Sequence, residues 1–432
     1  MTANVSLRSM LKGLVAPVYL PVLLLSFSWS ALAPSFPQYL AGLGAGVTVV
    51  GLVVAMKGIG QVASDLPGGL MLANWGERRI TMISYVVAIT SNLILFWIRS
   101  VLLIGFLTFA SGFATSILLT TVMTLVRRTV PADSRGRALS GVGGALRTGM
   151  FLGPLAGGFL AERFGVPVVF LMRTALLIGG MSSFALGHPR ETSSLSGARS
   201  PGHATDRARS TKTTKEPSAT APPPGGVQGG LLGAFAPVFQ GLKGRWYAVG
   251  TVGFVILALS ILRTAREVIM PLWGEGMGLS VSQIGVAMSL GAAFDLLLFV
   301  PAGIISDKRG RRTSLGLCLT LFSAGLLLLL PARSFALFVA AGILVGLGNG
   351  LGAGINMTTG TDLAPPGAVS EFLGIWRLYG DLGNAAGPIL VGALTAAIAL
   401  GPAVALTATI GGVGALVTVL LVPETKDLST AT

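Results

Sequence analysis

Residues 382–423 read LGNAAGPILVGALTAAIALGPAVALTATIGGVGALVTVLLVP, 42 positions without one charged side chain. A bilayer's hydrocarbon core takes about 20 apolar residues of helix, so this stretch makes two crossings in succession. Gly401 and Pro402 lie near its middle and supply the turn. Backbone polar groups find no water in lipid, which leaves the helix as the conformation for each crossing. The rest of the chain has the same character. Of its 432 residues 52% are hydrophobic and 11% charged, mean hydropathy is +0.79, and a soluble domain carries about 25% charge.

Working outward, apolar runs and charge breaks predict twelve helices. They fall near 14–37, 47–72, 80–98, 101–126, 138–161 and 166–187, then near 246–272, 282–305, 313–331, 335–361, 369–397 and 402–422. The halves read as copies of one another. Displacing the first by 234 positions aligns Pro37 with Pro271, Gly51 with Gly285, Pro67 with Pro301, Gly69 with Gly303, Gly76 with Gly310 and Arg78 with Arg312. The same register carries Arg99 onto Arg333, Gly112 onto Gly346, Gly149 onto Gly383 and Gly153-Pro154 onto Gly387-Pro388. The expected fold is an all-α membrane protein of 12 transmembrane helices in two pseudo-symmetric six-helix bundles, 1–187 and 244–432. Duplicated halves in such a chain point to a carrier whose path lies between them.

Between the halves, residues 188–243 are rich in Ser, Thr, Pro and Gly and carry Pro222-Pro223-Pro224 and six basic residues from Arg190 to Lys215. That composition buries no core, so a disordered cytoplasmic linker is expected. The formal charge of +14 is concentrated on one side. Arg78, Arg79, Arg127, Arg128, Arg135, Arg137, Lys308, Arg309, Arg311 and Arg312 fall in loops of one side, and Arg99, Arg163 and Arg333 in those of the other. The positive-inside rule makes the first side cytoplasmic, with both termini and the linker. The basic excess is thus a topology signal, and no nucleic-acid partner is expected. Arg8 and Lys12 before an apolar run resemble a signal peptide, but Pro34 follows Ala31-Leu32-Ala33 directly and the segment has a repeat partner at 262–271. It reads as an uncleaved first helix. The single cysteine, Cys318, and the two histidines, His188 and His203, offer no disulfide, metal cluster or catalytic triad, so neither a cofactor nor an enzyme is expected.

The loop Gly303-Ile304-Ile305-Ser306-Asp307-Lys308-Arg309-Gly310-Arg311-Arg312 resembles the G-x-x-x-D-x-x-G-R-R signature of the major facilitator superfamily. In that family such clusters latch cytoplasmic helix ends, so the resemblance implies a gating role here. The matching loop keeps Gly69, Gly76, Arg78 and Arg79 but has Ala73 at the acid's position, with Glu77 opposite Arg311. The resemblance therefore implies a latch rebuilt with Glu77 or Asp65. Gly149, Gly153, Pro154, Gly157 and Gly158 resemble the helix 5 motif of drug:proton antiporters, the exporter branch. Thr108 stands where that branch carries an arginine four residues before a glycine, here Gly112. Pro423-Glu424-Thr425 resembles the tail of many members. The alternating Gly346, Gly348, Gly350, Gly352 and Gly354 read as helix packing rather than a phosphate-binding loop.

Ionisable groups inside spans cost about 2.5–3.5 kcal/mol each on insertion scales, so they read as functional. They are Lys57, Asp65, Arg147, Arg173, Arg263, Arg266, Glu267, Asp295, Arg377 and Asp381. Arg377 and Asp381 share a helix face at i,i+4, and Glu267 follows Arg263 at the same spacing. Asp295 has no partner on its own helix and needs a cation from another helix, a bound cation or a proton. It ranks first as a proton-coupling acid, then Asp381, then Glu267. Arg147 is read as binding an anionic substrate or pairing with a carboxylate across the cavity. Asn349 and Asn356 are read as cavity-lining, and Trp29, Trp273 and Trp376 as interface anchors or aromatic platforms. The function expected is a proton-coupled, monomeric exporter of small organic molecules in the inner membrane, working by alternating access. An importer or facilitator of sugars or organic anions is the alternative, and a transporter-like sensor or scaffold the alternative from another class.

Overall fold

The computed structural model describes residues 12–187, 246–365 and 369–425. The expected linker, 188–243, lies outside the described residues. The described chain is helical, and no strand occurs in it. A π-helical turn, Val15–Tyr19, leads into α1 (Leu20–Ser30) and α2 (Phe36–Gly42). Then follow α3 (Val47–Trp75), α4 (Glu77–Leu95), α5 (Val101–Thr129), α6 (Ala132–Phe164) and α7 (Val166–Gly187). The second half holds α8 (Trp246–Gly276), α9 (Val281–Arg309), α10 (Arg311–Leu329), α11 (Phe335–Leu351), α12 (Ile355–Leu363), α13 (Val369–Ile398) and α14 (Leu400–Leu421). Among the described residues, nine helical segments are long and apolar enough to cross a membrane.

The sequence repeat is also a repeat of backbone. Displaced by 234, α3 becomes α9, α4 becomes α10 and α7 becomes α14, each with both ends in register. The ends of α2 and α8, and of α6 and α13, coincide likewise. Turns repeat too. Gly44 and Gly278 have φ of 87° and 75°, Gly76 and Gly310 81° and 93°, and Gly165 and Ala399 83° and 76°. Ala399 alone among these carries a Cβ, and with ψ at 165° it sits in a region essentially reserved for glycine. Ala399→Gly is expected to stabilise the protein by about 1–3 kcal/mol, read as a rise in unfolding temperature in detergent; an unchanged or lower temperature would contradict the strain.

The repeat fails in two places. The first apolar helix breaks at residues 31–35, where α8 runs on unbroken. The segment matching α5 splits into α11 and α12 around Gly354, whose φ is 74°. The expected helix-packing role thus holds for part of the glycine series. Gly346 packs against Gly291 and Gly348 against Phe322, whereas Gly352 and Gly354 end one helix and start the next.

Each half buries its own apolar core. Val252, Leu262, Phe322, Leu326 and Phe338 centre that of the second half. Val22, Leu118, Val126 and Phe184 form one cluster in the first, and Leu40, Ile104 and Phe170 another. The halves meet along two seams, α6 on α9 and α3 on α13, and each seam is the repeat of the other. Pro154 and Gly158 approach Gly285 in one; Pro388 and Gly392 approach Gly51 in the other. A Cβ on Gly158 would come 2.8 Å from the Val281 carbonyl oxygen, and one on Gly392 2.9 Å from that of Val47. Only glycine allows backbones this close. Beyond one seam, the Ser282 N–H donates to the exposed Glu162 carboxylate at 2.8 Å. Hydrogen bonds from the Ser282 and Ser280 side chains, then that N–H, hold Glu162 below the usual carboxylate range. Its contribution is complete above the ordinary carboxylate pKa and is lost as pH falls through the lowered one.

At the arginine-rich end, both repeat loops carry an ion pair, with signs exchanged. Arg311 reaches Asp362 at 3.4 Å, and Glu77 reaches Arg128 at 3.3 Å. Positions 77 and 311 are repeat partners, and so are 128 and 362. Arg311 also holds Asp307 at 2.6 Å and Ser306 at 3.0 Å. Glu424 accepts from the backbone N–H of Arg311 at 2.8 Å and of Arg312 at 3.3 Å, capping α10 from the far end of the chain. Arg312 in turn donates to the Val419 carbonyl. Exchanging the first-half pair by Glu77→Arg with Arg128→Glu is expected to restore stability lost in either single substitution. The coupling is about 0.2–1 kcal/mol, because Arg128 is exposed; additive effects in a double-mutant cycle would contradict the pairing.

Candidate functional site

A cavity of about 330 Å³, partly open to solvent, lies between the halves. The first half contributes Trp29, Lys57, Gln61 and Arg147, and the second Arg263, Arg266, Glu267, Asp295, Asn349 and Asn384. Two side chambers share its walls. One adds Arg173 with Leu32, Phe36 and Leu95; the other adds Met270, Met288 and Val345.

Two ion-pair networks join the halves. In the first, Asp295 is 1% exposed. Arg147 Nε donates to its Oδ1 at 3.1 Å and Asn349 Nδ2 to its Oδ2 at 2.6 Å. Arg263 Nε donates to Asn349 Oδ1 at 2.7 Å, and Arg263 Nη2 to the Gly352 carbonyl at 3.0 Å, which the helix break frees. Arg147 also lies 4.3 Å from the Phe299 ring centroid. Asp295 therefore takes a cation from another helix, and Arg147 a carboxylate across the cavity.

In the second, Arg377 holds two carboxylates, Asp381 at 3.1 Å through Nε and Asp65 at 3.1 Å through Nη2. Ser116 donates to Asp65 Oδ1 at 3.0 Å and accepts from Arg377 Nη2 at 3.3 Å. The Asp381 and Asp65 carboxyls lie near enough for each to feel the other's charge, and Asp65 Oδ2 is buried without a fixed donor. The i,i+4 reading of Arg377 and Asp381 holds, but the arginine is shared. Ser116 was not legible beforehand, since one more hydroxyl on an apolar helix carries no signal.

Other expected placements change. Arg263 and Glu267 form no ion pair, because Asn349 and the broken helix end take the guanidinium. Lys57 sits over Trp29, 3.1 Å from the ring centroid, with Glu267 the carboxylate it feels most. Trp376 is 2% exposed and belongs to the core, not the cavity. It stacks on Phe372 at 5.8 Å and donates to the Asn356 carbonyl at 2.8 Å. Asn356 is absent from the cavity wall, since the break at 352–354 interrupts the face it was expected to share with Asn349. The motif glycines of α6 pack as a smooth face: Gly149, Gly153 and Gly157 lie on Ser26, Ser30 and Ala31. Gly383 and Gly387 lie on the repeat-related Ser260 and Thr264, so the same close packing recurs in both halves.

A multi-pass helical membrane protein with a charged cavity between two repeated halves has the architecture of a solute carrier. Two matches to the family model described as Major Facilitator Superfamily cover residues 18–265 and 252–432, and the chain belongs to that superfamily of transporters. It is similar to an uncharacterized MFS-type transporter, YfkF, of Bacillus subtilis (strain 168), 27% identical over 43% of this chain and 47% of that protein. It is also similar to a multi-drug resistance efflux pump PmrA homolog of Lactococcus lactis subsp. lactis (strain IL1403), 33% identical over 35% of this chain and 38% of that protein. The matched stretches thus span less than half of each relative. Among solved structures, a D-xylose-proton symporter superposes with a TM-score of 0.69 at 17% identity, covering 96% of this chain and 98% of that one. A point mutant of the nucleoside transporter NupG gives 0.72 at 11%, covering 96% and 100%. These likenesses concern the fold alone.

Proposed function

We propose that the protein is a proton-coupled exporter of small organic molecules that works by alternating access. The observation that carries the reading is the cavity lined from both halves, closed in by two repeat-related seams that each carry an ion pair. Rocking one half on the other breaks or remakes these pairs in turn. Efflux, rather than uptake, is supported by the likeness to a protein named as a multidrug efflux pump.

The coupling site in this reading is the Asp65–Asp381–Arg377 cluster. Two carboxylates face one guanidinium, leaving one negative charge in excess within the membrane. A proton between the carboxyls removes that charge and gives buried Asp65 Oδ2 a donor. Asp295, ranked first on sequence, has both oxygens occupied by fixed donors and serves better as a structural tie. Added to the nine apolar segments, α1 with α2, α4 and α6 complete twelve spans in two six-helix bundles, with the arginine-rich end and both termini cytoplasmic.

The test uses purified protein in liposomes, with the vesicle interior acidic so that protons leave through inverted carriers. Dyes and drugs of several charges are offered outside. Accumulation that follows the pH gradient and collapses with an uncoupler is expected. Movement indifferent to the gradient would make the protein a facilitator, and no movement of any compound would favour a sensor.

A further inference from the structure

Five cations, Lys57, Arg147, Arg173, Arg263 and Arg266, line the cavity and its chambers against two carboxylates, Glu267 and Asp295. The network described above already occupies Arg147, Arg263 and Asp295. What remains is Lys57, Arg173 and Arg266 around one acid, Glu267. Among the described residues none of the three is within ion-pair distance of a carboxylate. Lys57 and Arg266 rest instead on aromatic rings, those of Trp29 and Phe322. Arg173 Nε is buried and has no hydrogen-bond partner at all. An uncompensated guanidinium inside a membrane is expensive and marks a binding function.

Resting on the carrier reading, we infer that the substrate is an amphipathic organic anion, with its charged group on Arg173 and Lys57 and its apolar body in the neighbouring chambers. An anion there supplies the acceptor that Arg173 lacks and lowers the positive excess. A planar guanidinium beside an ammonium suits a carboxylate, sulfonate or phosphonate. The remaining walls are apolar: Leu32, Phe36 and Leu95 in one chamber, Met270, Met288 and Val345 in the other. Methionine and aromatic surfaces accept flat hydrophobic bodies without demanding one shape. The chambers open onto the central cavity, whose volume of about 330 Å³ falls in the range of small-molecule sites. Glu267, shared by both, repels a second negative charge, which favours monoanions.

The test compares two probes of one shape and opposite charge, 1-naphthalenesulfonate and 1-naphthylmethylammonium. Calorimetric binding to the full-length protein is measured for the wild type, Arg173→Gln and Arg173→Lys. The sulfonate is expected to bind and the ammonium not. Arg173→Gln should weaken the sulfonate by about tenfold to a hundredfold, and Arg173→Lys by much less. Preference for the ammonium, sulfonate binding that survives Arg173→Gln, or binding of neither probe would overturn the inference. If Arg173→Gln fails to fold, Lys57→Gln is read by the same criterion, with Lys57→Arg as its control. Naphthalenesulfonate bound through Arg173 but not moved by a pH gradient would leave the anion site standing and remove the exporter reading. A cation moved by the gradient with no sulfonate binding would do the reverse.

Discussion

Asp381→Asn is expected to reduce pH-gradient-driven transport to the level of empty liposomes, while exchange of labelled for unlabelled substrate continues. The amide mimics a carboxyl that is always protonated, so Arg377 is left with Asp65 alone. On the proposed mechanism the variant still closes on substrate and reopens, but has no proton to release. Asp65→Asn is expected to have the same effect, because the two acids share one guanidinium and the proposed site belongs to the pair. Arg377→Gln removes the charge that holds both carboxylates, and its exchange activity is expected to fall together with its driven transport. The measurement is paired flux in the same proteoliposomes, with and without the gradient. Driven transport that survives in both asparagine variants moves the coupling site elsewhere; loss of exchange as well makes the cluster structural.

Asp295→Ala is expected to destabilise the protein by about 3–5 kcal/mol, the usual consequence of removing one partner of a buried ion pair. The side chains of Asp295 and Arg147 are 2% and 16% exposed, so little water reaches the arginine left behind. Asn349 loses its acceptor in the same step. Arg147→Met combined with Asp295→Leu should recover most of the loss, since it removes both charges and keeps the volume. Thermal unfolding in detergent, run on the two single variants and the double, gives the coupling. A double variant as unstable as the sum of the singles would contradict the pairing.

Much of the fold was legible because lipid imposes so few solutions. Apolar length gave the helices, and the displacement of 234 gave the two halves, down to shared helix ends at Trp75 and Arg309 or Leu95 and Leu329. Helix breaks were not legible. Ala33-Pro34-Ser35 and Gly352-Ala353-Gly354 sit inside apolar runs, and hydropathy cannot separate a kinked span from two short helices. That gap misplaced Asn356 and hid the carbonyl that Arg263 caps. The intramembrane charges were found one by one, but their pairing depends on which helices touch. Arg263 has Glu267 at helical spacing and Asn349 far away in sequence, and the contact between helices wins. The exchanged pair Glu77–Arg128 and Arg311–Asp362 was open to discovery, because the repeat register shows both sign changes at once. Reading charge as well as glycine along that register would have found it. Ser116 and the isolation of Arg173 needed three-dimensional neighbours.

The most direct test of the account asks whether one cavity residue is reached from each side of the membrane in turn. The chain's single cysteine, Cys318, is buried, so Gln61→Cys places one reactive thiol in the cavity wall. A membrane-impermeant maleimide is applied to right-side-out and to inverted vesicles, with and without a transported compound. The account predicts labelling from both sides, with substrate or a pH gradient raising one rate while lowering the other. Labelling from one side under every condition, or rates that rise together on both sides, would contradict alternating access.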